Sequence, residues 1–110
     1  MVLTLTTELD TVLGGTGHRS LKLIDIDFDS SYPTSGESLT PADINFLSID
    51  FLYVESTSGF VFEYNYSGEL LLAYYADYDA GADSALIQVA NTTDLSAVAN
   101  ARGLVIGQSL

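Results

Sequence analysis

A chain of 110 residues with fifteen acidic and three basic side chains carries a formal charge of -12, which repels nucleic-acid phosphates and anionic membrane surfaces alike. It has no cysteine, so disulfides, thiolate metal sites and a cysteine nucleophile are excluded. With 47% hydrophobic residues it has the material for one core, and a single β domain over residues 1–110 is expected. No apolar run approaches the roughly 18 to 20 residues that cross a bilayer, and Met1 to Gly14 lacks the basic and apolar regions of a signal peptide.

Period-2 alternation dominates and helical stripes are scarce. Val2 to Val12 alternates apolar and polar positions, with Thr4, Thr6 and Thr7 favouring extended backbone. Gly14 to Gly17 interrupts it as a flexible turn. Leu21 to Asp29 holds two apolar series, Leu21 and Leu23 on odd positions and Ile24, Ile26 and Phe28 on even ones, which predicts a bulge or bend inside this strand. Ser30 to Asp43 is turn-rich, and Thr40-Pro41-Ala42-Asp43 reads as one helical turn with threonine as N-cap and proline at the first position.

Ile49 to Glu55 is a strand with Phe51 and Tyr53 on one face and Leu52 and Val54 on the other. Two apolar faces predict burial on both sides, or an oligomer contact on one. Phe60 to Ala76 reads as a hairpin around the two-residue turn Ser67-Gly68, a register that pairs Tyr66 with Glu69, Tyr64 with Leu71, Phe62 with Ala73 and Phe60 with Tyr75. Asp77 to Asp83 is an acidic loop, Ala85 to Ala90 a short strand and Thr93 to Asn100 a helical turn capped by Thr93 or Asp94. Arg102 to Gln108 supplies the last strand. The expected fold is all-β: a small β-sandwich or partly open barrel of six to eight short strands with one or two short helical turns.

Chemistry-bearing constellations are few. His18, the only histidine, stands beside the glycine-rich turn without a nucleophile elbow, and reads as an exposed turn residue. Asp25, Asp27 and Asp29 share one strand face, which must be solvated or neutralised, with Lys22 or Arg19 as candidates for the neutralising charge. Asp77, Asp79 and Asp83 stand at positions 1, 3 and 7 of a loop, as calcium ligands can, but Gly81, Ala82 and Gln88 depart from the EF-hand pattern at positions 5, 6 and 12. They are weak metal candidates, and a hydrophilic hairpin loop is the simpler reading. Tyrosines around the hairpin point first to core or protein interface, and only then to a sugar platform. Asn65-Tyr66-Ser67 and Asn91-Thr92-Thr93 match the glycosylation sequon by coincidence.

Phe28-Asp29-Ser30-Ser31-Tyr32-Pro33-Thr34-Ser35-Gly36-Glu37, followed by Leu39-Thr40-Pro41-Ala42-Asp43, resembles a family of small structural proteins of tailed bacteriophages. Gly59 to Tyr64, Leu71 to Tyr74 and Asn91 to Ser96 resemble it as well, so the likeness runs from about Leu21 to Ile106. Ser35 departs from it where a further glycine is expected. The resemblance implies a virion component assembled in the bacterial host cytoplasm, most simply a capsid decoration or cement protein, β-rich and oligomeric, with the major capsid protein as partner. It implies no catalytic residue and no cofactor. On this reading Tyr32, Pro33, Leu39 and Pro41 in the long loop are candidates for contact with the shell. Phe51, Tyr53, Tyr64 and Tyr66 are candidates for self-association, with a trimer expected before a dimer from capsid symmetry alone. The alternatives are a tail- or fibre-associated virion protein and a calcium-dependent carbohydrate-binding module built on Asp77, Asp79 and Asp83.

Overall fold

Alternating side chains translate here into antiparallel strands. The computed structural model describes residues 3–14, 18–76, 86–98 and 100–109. Within them run β1 (Thr4–Gly14), β2 (Arg19–Asp27), β3 (Glu37–Ser38), β4 (Phe46–Val54), β5 (Phe60–Asn65), β6 (Leu70–Tyr75), β7 (Ile87–Gln88) and β8 (Ala101–Ser109). One 3-10 turn, Pro41–Ile44, precedes β4. The strands form two antiparallel sheets, one in the order β1-β2-β8-β4 and one in the order β3-β6-β5, with β7 also on β6. The chain is thus all-β.

The two sheets close over a common core. Ile24, Ile26, Leu52, Val54, Ala101 and Val105 face inward from the first, and Tyr64, Leu71 and Ala73 from the second. Phe28 stacks on Phe62 with ring centroids 5.0 Å apart. Gly107 on β8 lies where the backbone of β4 comes closest, and a Cβ there would collide with the Ser48 carbonyl.

β2 corrects one expectation. Its even positions, Ser20, Lys22, Ile24 and Ile26, are all buried in an unbroken alternation, so no phase change occurs within it. The register shifts fall in its partner β1, between Thr7 and Leu9 and between Val12 and Gly14. Lys22 fills the inward position that the sequence pattern had left polar. Its ammonium donates to the Ile44 carbonyl, stands 4.9 Å from the centre of the Phe46 ring and lies 3.8 Å from Asp10 Oδ2, which satisfies a buried charge by a carbonyl, an aromatic face and a carboxylate.

The β5–β6 ladder has the expected register, Phe60 with Tyr75, Phe62 with Ala73 and Tyr64 with Leu71. Its connection is longer than two residues, because the ladder ends at Asn65 and Leu70 and the Tyr66–Glu69 pair does not form. The Asn65 side-chain oxygen accepts from Gly68 N and Ser67 Oγ, and Glu69 takes the left-handed conformation at φ 56°. The 3-10 turn forms as read, with Thr40 N donating to Asp43 Oδ2 at 2.8 Å. No helix forms between Thr93 and Asn100 among the described residues. That segment's backbone bonds to a distant connection instead: Tyr32 N to the Thr93 carbonyl, Thr92 N to the Tyr32 carbonyl and Leu95 N to the Asp29 carbonyl.

Candidate functional site

The outward face of the four-stranded sheet carries two rows of side chains that cross every strand. Leu9, Leu23, Leu104 and Tyr53 are successive partners in one row, and Thr11, Leu21, Ile106 and Phe51 in the next. Strand geometry puts them there: inward positions go to Ile24, Val105 and Leu52, and each step of one residue reverses the face. Leu9, Phe51 and Tyr53 are 50%, 45% and 58% exposed, while Leu21, Leu23, Leu104 and Ile106 are half-covered by their neighbours.

Ion pairs close the face at both ends. Arg19 Nε lies 2.7 Å from Asp50 Oδ2, and Arg102 Nε lies 2.7 Å from Asp25 Oδ1. Glu8 adjoins the second pair, and its hydrogen bond to Asp25, with the Asp25 charge, holds its carboxyl above the usual range. Asp25 is therefore neutralised by Arg102, not by Lys22 or Arg19. Asp27 keeps to the same outward side of β2 as Asp25, where its Oδ1 accepts from Asn100 N at 2.7 Å, while Asp29 lies past the end of the strand and its Oδ1 accepts from Ser31 N at 2.9 Å.

Phe51 and Tyr53, expected in self-association, lie on this face. Tyr64 does not. Its side chain is buried and its hydroxyl donates to the Leu39 carbonyl at 2.6 Å, burial first of all pushing its pKa up to about 12. Tyr66 packs edge-on against Tyr64, and its hydroxyl accepts from Leu52 N at 3.1 Å, closing the edge of β4. Tyr32 and Leu39, expected to grip a shell, are 0% exposed and belong to the core. The Tyr32 hydroxyl accepts from Ala73 N and from Gln88 Nε2, each at 3.0 Å. Pro33 and Pro41 are half-exposed at the margin of the same connection. Asp77, Asp79 and Asp83 lie outside the described residues.

One buried carboxyl escaped the sequence reading. Glu37 is 1% exposed, and its carboxyl meets that of Asp29, with which it shares a hydrogen bond when one of the two is protonated. Burial, and then the charge of Asp29, push its pKa up to about 7. No group of three or more acidic or histidine side chains gathers to hold a metal among the described residues. None of their helices is long and apolar enough to cross a membrane. The chain matches no family model, no curated protein and no solved structure.

Leu9, Leu21, Leu23, Leu104 and Ile106 are the site residues that sequence reasoning missed. Their signal was present as the odd-numbered leucines of β2 and the two apolar faces of β4, which one outward surface explains together.

Proposed function

We propose that the chain is a non-enzymatic structural protein of a tailed-phage virion, a decoration protein that binds the outside of the head shell and clamps neighbouring capsomers. The observation that carries this reading is the apolar outer face of the β1-β2-β8-β4 sheet, since contiguous exposed apolar surface on a small protein marks contact with another protein, as an assembling structural protein requires, and leaves the acidic remainder to meet the shell. The virion setting rests on the resemblance of Phe28 to Glu37, Leu39 to Asp43 and the β5–β6 hairpin to small phage structural proteins. A clamp of this kind stabilises a shell by burying further surface across subunit boundaries.

Tyr32 and Leu39 stay in the core on this reading, and their connection offers its exposed rim, which includes Pro33, Thr34, Ser35, Pro41 and Ala42. The acidic remainder of the surface supplies complementarity to basic groups on the shell. Cosedimentation of the purified chain with empty tailed-phage capsids tests the proposal. Saturation at the capsid subunit count, or at a simple fraction of it, is expected, and shells that sediment without the chain at micromolar concentration would refute it. A few copies per particle would instead indicate a tail component.

A further inference from the structure

The same outer face identifies its occupant by charge and by size. The chain has three basic side chains in all. Arg19 and Arg102 both stand on this face, each 2.7 Å from an acid, while Lys22 is turned inward and buried. With Asp25, Asp50, Glu8 and Asp27 beside the two arginines the face is only mildly acidic, and most of the -12 charge lies elsewhere on the chain. A basic partner is drawn to that acidic remainder, and an acidic partner is repelled by it. Two copies of the chain repel one another least in the orientation that brings these two apolar, arginine-bearing faces together.

Size agrees. Strands of nine residues, as β2, β4 and β8 are, rise about 3.3 Å per residue, and four of them about 4.8 Å apart make a face on the order of 600 Å². Two such faces bury roughly 1,200 Å² together, the lower end of what a specific, stable interface needs.

We propose that two copies of this chain associate through the outer faces of their β1-β2-β8-β4 sheets, in an isologous contact centred on the rows of Leu9, Leu23, Leu104 and Tyr53 and of Leu21, Ile106 and Phe51. The stacked sheets lie about 10 Å apart, with Tyr53 and Phe51 between them and the arginine–carboxylate pairs at the rim. The inference rests on the reading of this face as a protein contact and is independent of any shell.

Sedimentation equilibrium of the full chain over a micromolar to millimolar range tests it, with no capsid present. The wild type is expected at twice 11.8 kDa, and about 0.5 M salt should tighten the association by screening the like charges. Tyr53→Glu and Leu9→Lys, at exposed positions on opposite sides of the face, should each weaken it at least tenfold while the circular dichroism stays that of the wild type. Val61→Glu, a change at an exposed position on the other sheet, should leave the mass unchanged. A monomer throughout the range overturns the proposal, as does a dimer insensitive to Tyr53→Glu and Leu9→Lys, one lost with Val61→Glu, or a trimer. A dimer that fails to bind shells would refute the decoration reading alone, and a monomer that binds them would refute the dimer alone.

Discussion

Glu37 couples the fold to pH. Its folded pKa of about 7 stands above the ordinary value of 4.5, so the unfolded chain releases this proton first. The contribution of the protonated group to stability is fully present below about 4.5 and is lost as pH rises through about 7. Thermal melting followed from pH about 5 to about 8 should show the midpoint falling, and Glu37→Gln should flatten that dependence by removing the titration. Tyr32→Phe strips one buried acceptor from two donors and should cost about 1–2 kcal/mol in urea denaturation. Tyr32→Ala, which also leaves a cavity, should cost about 3–5 kcal/mol. Losses of that size would identify Tyr32 as a core residue, whatever the loop around it contacts.

Among the elements, β8 is the strand that both neighbours approach, and Gly107 is what lets β4 close on it. Gly107→Ala should destabilise by about 1–3 kcal/mol, read as a lower melting temperature, because the Ser48 carbonyl must move. Local pattern explains why some elements were legible in the sequence. The β5–β6 register follows from alternation on both arms around one polar turn, and the Thr40 to Asp43 turn from capping chemistry within four residues. What was illegible depends on partners far away in the chain. Lys22 is buried because the Ile44 carbonyl, 22 residues on, receives its ammonium. Tyr32 and Leu39 looked like surface residues of a turn-rich loop because Ala73, Gln88 and Tyr64, which bond them inside, are remote in sequence. Thr93 to Asn100 offered a capped helical turn, and hydrogen bonds to Asp29 and Tyr32 claimed its backbone first. The outer face was half legible: Phe51 and Tyr53 stood out, while their leucine partners on β1, β2 and β8 emerge only once strand order is known.

Over the whole molecule, two kinds of surface divide the work. Most of the charge of -12 lies off this sheet face, which keeps protomers apart in solution and makes it a face where they repel less. The two proposed contacts therefore respond to salt in opposite directions. Self-association through apolar rows strengthens as repulsion is screened, whereas docking of an acidic surface on a basic shell weakens over the same range. The resemblance to phage structural proteins and the exposed sheet face converge on one experiment, cosedimentation of the chain with empty tailed-phage capsids, run with wild type and Tyr53→Glu at about 0.05 M and about 0.5 M salt. The account predicts saturable binding of the wild type at low salt, weaker binding at high salt, and at least tenfold weaker binding of Tyr53→Glu because a monomer holds the shell by one contact where a dimer holds it by two. Shells that pellet free of the wild-type chain at both salt concentrations would contradict it.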